Sequence, residues 1–126
     1  MSQVPAPGGE RPLGYFVFSW VDASMAQELV DWLCNGHVAE VLEQPGMLRA
    51  EVIVLDERSP EGRIGVVCAY QLRSQQDYDA YLSSSAKARF NVEGRRFASS
   101  VTSTRWHGHC VLALQAGVAR SSGAAQ

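Results

Sequence analysis

The sequence is short of lysine and of long hydrophobic runs, and both shortages exclude classes of protein. Lys87 is the one lysine among 11 basic residues, and the net charge is −2. Proteins that bind nucleic acid need clustered Lys and Arg side chains to neutralise phosphates, and no such block occurs. No apolar run approaches the roughly 18 residues that span a bilayer, and residues 1–12 lack the features of a signal peptide. We therefore expect a cytoplasmic protein that binds neither nucleic acid nor membrane.

Several chemical motifs are also missing. The three cysteines, Cys34, Cys68 and Cys110, are an odd number and have no C-x-x-C spacing. Such residues are typical of small buried side chains in a reducing compartment. Ser83–Ser85 lacks the G-x-S-x-G context of a nucleophilic serine, and no Gly-rich turn joins a strand to a helix to bind phosphate. The sequence thus predicts no disulfide framework, no serine nucleophile and no nucleotide-binding loop.

The 126 residues fit one domain between two tails. Residues 1–12 are rich in Pro and Gly, and residues 116–126 are rich in Ala, Ser and Gly. Neither segment has enough apolar surface to offset the entropy cost of ordering it. We expect both tails to be flexible and the folded domain to cover residues 13–115.

Within this domain, strands and helices are predicted in the order β-α-β-β-α-β. A helix between the first two strands begins at Asp22 or Ser24 and ends at Asn35-Gly36, with a further helical turn after it. Another begins at Ser74 and is followed, after a Ser-rich break, by a helical piece over Ala86–Phe97. Segments rich in β-branched and aromatic residues are the predicted strands: Gly14–Val21, Met47–Leu55, Ile64–Leu72 and about Ser99–Leu114.

This order is typical of the α+β ferredoxin-like sandwich, in which helices cover one face of a four-stranded antiparallel sheet. In the first strand, Phe16, Phe18 and Trp20 point to one face and the odd-numbered residues point to the other. Both faces are largely apolar, so the face without helices also needs cover. We expect a homodimer in which two sheets pack face to face and form an α+β barrel.

The pattern resembles the bacterial DUF4286 family, within the dimeric α+β barrel superfamily that includes antibiotic-biosynthesis monooxygenases. The likeness spans about Tyr15–Trp106. It depends on short groups of residues along the chain: Val21-Asp22, Trp32-Leu33, His37-Val38, Glu40-Val41-Leu42, Gly46, Tyr70, Ser74, Asp77, Tyr81-Leu82, Arg89-Phe90 and Phe97. The chain departs from the family where Phe18 and Trp20 replace small polar residues and where Ala69 replaces Gln. The family has no established activity, so the resemblance implies fold and dimerisation more than chemistry.

Three functions remain open at this stage. The superfamily resemblance implies a cofactor-independent enzyme that cyclises, rearranges or oxygenates a hydrophobic aromatic or polyketide-like molecule in a pocket between sheet and helices. A second function is a non-catalytic homodimer that binds a small hydrophobic ligand or haem. A third is a purely structural dimer whose aromatic face is used entirely for self-association. An aromatic pocket and a packed interface use the same residue types, so the sequence does not separate them.

Candidate site residues follow from the first of these hypotheses. His37 stands at a helix junction and titrates near neutrality, which suits acid–base chemistry, although a structural role at the junction is the alternative. Tyr70 and Arg49 are expected to assist it. The expected substrate-binding residues are aromatic side chains with a few polar groups among them: Phe16, Phe18, Trp20, Gln71, Arg105 and Trp106.

His107 and His109 have the two-residue spacing that places both imidazoles on one face of a strand. Cys110 points the opposite way, and no Asp or Glu is near in sequence. Catalytic zinc usually has three protein ligands, so exposed strand histidines are the preferred interpretation. We expect no metal and no cofactor.

Overall fold

A computed structural model describes residues 11–117. The predicted tails, 1–12 and 116–126, therefore lie largely outside the described residues. In the part of the chain that is described, no helix has the length and apolar character required to cross a membrane.

Four strands and four helices follow the predicted order. The strands are β1 Leu13–Val21, β2 Met47–Val54, β3 Ile64–Leu72 and β4 Val101–His109, and they form one antiparallel sheet in the spatial order β2-β3-β1-β4. The helices are α1 Ala26–Trp32, α2 Val38–Leu42, α3 Gln75–Leu82 and α4 Ser85–Gly94. The α+β ferredoxin-like architecture predicted from the sequence is confirmed.

The helix starts are partly as predicted. Ser74 Oγ accepts a hydrogen bond from the Asp77 backbone N–H at 3.2 Å, which confirms it as the cap of α3. The prediction of Asp22 or Ser24 as a side-chain cap was wrong. Ala23–Met25 forms a 3-10 turn in which Asp22 makes no side-chain cap, because its carboxylate instead accepts from Arg63 Nε at 3.1 Å.

The predicted break at Asn35-Gly36 is present between α1 and α2. Asn35 and Gly36 leave helical geometry inside a widened π-type turn over Leu33–His37. The chain then resumes a helical course at His37, the residue directly before α2. The break therefore allows His37 to turn back toward α1 instead of continuing along its axis.

Strand β4 is shorter than the predicted Ser99–Leu114. At its start, Arg95–Phe97 forms a 3-10 turn after α4, so the chain reaches the sheet only at Val101. At its end, His109 pairs with Leu13, the first residue of β1. Strand β1 has no residue before Leu13 to extend the pairing. One further backbone hydrogen bond joins the Cys110 N–H to the Pro12 carbonyl at 2.9 Å.

The two faces of the sheet differ as the alternation predicted. The odd-numbered side of β1 packs under the helices, where Leu13, Tyr15 and Val21 are at most 2% exposed. The even-numbered side carries no helix, and Phe16 and its cross-strand partner Trp106 are 41% and 65% exposed. We call these the helix-covered face and the open face.

A tight turn between α2 and β2 fixes the entry of β2. Gly46 has φ of 85°, and a Cβ placed there would lie 2.4 Å from the Asp77 Cβ. Both the left-handed backbone and the close approach require glycine at this position. The Gly46 carbonyl also accepts from the Arg73 N–H at 2.8 Å, which joins the turn to the start of α3.

Candidate functional site

The predicted site residues do not converge, because they divide between the two faces of the sheet. Directly paired residues on neighbouring strands point to the same side. Tyr70 pairs with Tyr15, so it lies on the helix-covered face. Arg49 pairs with Gln71 and therefore lies on the open face.

The open face holds most of the expected binding residues. Phe16 pairs with Ala69 and Trp106, and Phe16 and Ala69 line a shallow depression of about 500 Å³. Phe18 and Trp20 follow along β1, their rings 5.3 Å apart and edge to face. Arg49 forms an ion pair with Glu51 at 2.8 Å. The structure thus separates Arg49, Phe16, Phe18, Trp20, Gln71 and Trp106 from His37, Tyr70 and Arg105.

A cavity of about 450 Å³ lies between the sheet and the helices. Its apolar wall comes from α1, α4 and the turn after α4 and includes Trp32, Phe90 and Phe97. The sheet contributes Ser19 and Ser103, whose hydroxyls are hydrogen-bonded to each other at 2.8 Å. Apolar walls with a few polar groups are what small-molecule sites commonly show, and this volume suffices for a bicyclic or tricyclic ring system.

His37 lies against the apolar wall of this cavity. Its ring stacks on Trp32 with centroids 4.1 Å apart, and it meets Phe90 edge to face at 5.1 Å. Burial lowers the pKa of His37 to about 4, with smaller lowering contributions from Lys87 and Arg89 and an opposing one from Glu93. The imidazole is therefore neutral at pH 7. Within residues 11–117 its Nδ1 is buried and has no hydrogen-bond partner.

All four tyrosines of the chain lie together on the helix-covered face. Tyr15 is the centre of the cluster, with ring centroids 5.8 Å from Tyr70, 5.3 Å from Tyr78 and 6.4 Å from Tyr81. Burial is the main cause of a raised pKa at each of them. Tyr15, Tyr70 and Tyr81 line the cavity. Because these phenols keep their protons at neutral pH, they are hydrogen-bond donors for an oxygen atom on a bound molecule.

The sequence pointed to only part of this cavity. His37, Tyr70 and Arg105 line it as predicted site residues, whereas Tyr81 and Lys87 line it without having been predicted as site residues. Lys87 follows its helix cap Ser84 by three residues, since Ser84 Oγ accepts from the Lys87 N–H at 3.0 Å. That spacing fixes Lys87 in the first turn of α4. The feature of the sequence that could have drawn attention to Lys87 is that it is the only lysine.

His107 and His109 both lie on the helix-covered face, since they pair with Tyr15 and Leu13. The His107 ring contacts Tyr78, with centroids 4.8 Å apart. Among the described residues, no group of three His, Cys, Asp or Glu side chains is arranged to hold a metal ion. Cys34, Cys68 and Cys110 are all free.

The sheet order and the helices on one face of the sheet define a ferredoxin-like α+β protein. The sequence model of the domain of unknown function DUF4286 matches residues 13–106. The chain therefore belongs to the DUF4286 family. A comparison with curated protein sequences finds no match.

Solved structures of similar fold have low sequence identity to this chain. A candidate antibiotic-biosynthesis monooxygenase from Bacillus cereus is 14% identical, with a TM-score of 0.63 over 84% of this chain and 99% of that one. A dimeric ferredoxin-like protein from an uncultured marine organism is 13% identical, with a TM-score of 0.66 over 83% and 100%. A hydroxynitrile lyase from Passiflora edulis is 12% identical, with a TM-score of 0.59 over 79% and 95%. At these identities the likeness concerns the fold.

Proposed function

We propose that the protein is a cofactor-independent enzyme that cyclises, rearranges or oxygenates a hydrophobic aromatic or polyketide-like molecule, and that it works as a homodimer. The main support is the cavity of about 450 Å³, which has His37 in its wall. Within residues 11–117 the buried Nδ1 of His37 has no hydrogen-bond partner, and leaving a buried polar atom unpaired costs stability. Fold relatives with names from oxygenation and lyase chemistry are consistent with this assignment.

His37 is the proposed proton-transfer group. A neutral imidazole has one nitrogen that accepts and one that donates, so it can take a proton from a substrate and return it elsewhere. A histidine with a pKa of about 4 is a weak base, and it therefore suits a substrate whose departing proton is itself acidic. Phenols and carbons between two carbonyl groups, both common in polyketide-like molecules, have such protons.

Tyr70 is proposed to donate a hydrogen bond to the oxygen on which negative charge develops. Preorganised donors in a site shielded from water stabilise such charge more strongly than water does. Tyr70 is 5% exposed and its pKa is raised by burial, so its proton is retained. Arg49 has no part in this mechanism because it lies on the open face. Phe16, Phe18, Trp20, Gln71 and Trp106 are assigned instead to the contact between protomers.

Two leucine substitutions test which face binds the molecule. Gly94 lines the cavity and has helical backbone angles, and a Cβ there would lie 3.8 Å from Trp32 Cη2. Gly94→Leu therefore fills the cavity without backbone strain. Gly108→Leu is the matched control on the open face, where a Cβ would meet nothing within 4 Å. We expect binding of the neutral fluorescent probe N-phenyl-1-naphthylamine to be lost in Gly94→Leu and kept in Gly108→Leu.

Turnover is tested with 1,8-dihydroxyanthrone in air, whose oxidation to the quinone is followed by absorbance. We expect acceleration by the native protein, and a fall of about 100-fold or more in His37→Ala, the usual contribution of a general acid–base group. Gly94→Leu should also lose activity. Probe binding in the cavity without turnover of this or related polyketide-like compounds would contradict the enzyme and favour a non-catalytic ligand-binding dimer. Equal turnover by the native protein and His37→Ala would contradict the role of His37.

A further inference from the structure

The basic residues of the chain differ in whether they are paired with carboxylates. Ion pairs link five of the arginines away from the cavity to neighbouring acids: Arg49 to Glu51, Arg63 to Asp22, Arg73 to Asp77, Arg89 to Glu40 and Glu93, and Arg96 to Glu28. Within residues 11–117, no such ion pair involves the three basic residues that line the cavity, Lys87, Arg95 and Arg105. No Asp or Glu of the described chain lines the cavity either. The cavity is therefore bordered by positive charge without a counter-charge.

Lys87 and Arg105 approach the cavity from opposite sides. Lys87 is half-buried in the first turn of α4, and its Nζ donates to Asn91 Oδ1 at 2.6 Å. Arg105 extends from β4 on the helix-covered face, where its positive charge opposes the rise that burial causes in the pKa of Tyr15. Burial lowers the pKa of Lys87, and the positive charge of Arg105 lowers it further. The two cations are thus near enough to repel each other.

Like charges held close together destabilise a fold unless something compensates them. Five arginines elsewhere in this chain obtain that compensation from a protein carboxylate, but among the described residues Lys87 and Arg105 have no such carboxylate partner. A bound anion would supply it, and would gain charge-assisted hydrogen bonds that are about twice as strong as neutral ones. The apolar wall formed by Trp32, Phe90 and Phe97 lies in the same cavity and would hold an aromatic body.

We infer that the cavity selects an organic anion, a molecule with an apolar ring system and an acidic group such as a carboxylate, phenolate or enolate held between Lys87 and Arg105. This inference rests on the proposed function and specifies its substrate class. The same two cations favour the ionised form of a bound phenol or enol, and they therefore favour the transfer of its proton to His37.

The test compares two fluorescent probes with the same ring skeleton. 1-Anilinonaphthalene-8-sulfonate has one negative charge, and N-phenyl-1-naphthylamine is its neutral counterpart. Both are titrated into the native full-length protein and into Lys87→Gln, Arg105→Gln and Arg58→Gln. Arg58 lies in the exposed loop between β2 and β3, so its substitution removes the same charge away from the cavity. Gly94→Leu identifies the fraction of binding that belongs to the cavity.

We expect the sulfonate to bind more tightly than the neutral probe. Each of Lys87→Gln and Arg105→Gln should raise the dissociation constant of the sulfonate probe about tenfold, as expected for loss of one hydrogen bond to a charged group. Binding of the neutral probe should stay within about twofold, and Lys87→Arg should keep sulfonate binding because it keeps the charge. Arg58→Gln should change neither probe.

The outcomes separate the inference from the proposal beneath it. Equal affinity of the two probes, or sulfonate binding that survives both glutamine substitutions, would overturn anion selection while the cavity remains a binding site. Equal weakening of both probes would also overturn it, since that result indicates lost shape and not lost charge. Failure of both probes to bind, or binding that Gly94→Leu leaves intact, would contradict the assignment of the cavity as the binding site. The proposed function would then be overturned as well.

Discussion

The half-buried ring of His37 makes the stability of the protein depend on pH in a direction opposite to that of a salt-bridged histidine. Its pKa is lowered from 6.5 to about 4 in the folded protein, chiefly by burial. The unfolded chain therefore binds a proton between these two pH values when the folded chain does not. By linkage, the contribution of His37 to the free energy of unfolding is fully present above pH 6.5 and is lost as the pH falls toward 4.

The size of the effect follows from the two pKa values. The gap between 6.5 and about 4 corresponds to about 3 kcal/mol at most, at 1.36 kcal/mol for each pH unit. His37 is half-buried, and solvent screening reduces the penalty on a partly exposed charge. We therefore expect a loss of about 1–2 kcal/mol between pH 7 and pH 4 from this residue.

The assay is urea unfolding across this pH range for the native protein and for His37→Phe. Phenylalanine keeps an aromatic ring for the stack on Trp32, whose centroid lies 4.1 Å from that of His37, but it does not titrate. Carboxylates titrate in both proteins, so their contribution cancels in the difference between the two curves. The native protein should lose about 1–2 kcal/mol more than His37→Phe over the range. Parallel curves, or a larger loss in the variant, would refute a buried neutral His37.

Two further predictions concern assembly and folding. Trp106→Asp should convert the proposed homodimer to a monomer in analytical ultracentrifugation, because it places a charge on the open face. Leu82→Asp is the matched control, since the Leu82 side chain is 44% exposed on α3, and this variant should remain dimeric. A dimer in both variants would exclude the open face as the interface. Gly62 has φ of 83°, and a Cβ added there would meet nothing within 4 Å. Gly62→Ala should therefore lower the free energy of unfolding by about 1 kcal/mol, the cost of the left-handed backbone alone. Gly46→Ala should lower the free energy of unfolding by about 3 kcal/mol or more, since its Cβ also meets the Asp77 side chain. Equal losses for the two variants in urea unfolding would contradict that close contact.

The architecture could be predicted from the sequence because it depends on periodicity. The alternation of Phe16, Phe18 and Trp20 with the odd-numbered residues of β1 fixes two sheet faces, and the strand order then determines which face the helices cover. The end of β4 could not be predicted in this way. Residues 110–114 have strand-like composition, but no β1 residue remains to pair with them, and composition alone does not state the length of a neighbouring strand.

The site could be predicted only in part, for a related reason. His37 and Tyr70 were recognised by their chemistry, and both line the cavity. Arg49 was grouped with them although it faces the other side of the sheet, since side-chain chemistry does not indicate which strand residues pair. Lys87 could not be predicted as a site residue, because only the folded chain shows that no Asp or Glu of residues 11–117 lines the cavity beside it.

Strand β1 is a wall shared by the cavity and the open face. Tyr15 and Ser19 touch the cavity from one side, while Phe16 and Phe18, their neighbours in sequence, face the other side. A molecule that shifts β1 on entering the cavity must also shift the open face, at which we propose that a second protomer packs. Any resulting change in dimer affinity would equal, factor for factor, the change in ligand affinity on dimerisation, because coupling free energies are reciprocal. One strand of nine residues thus gives this small fold a direct route for cooperativity between two sites.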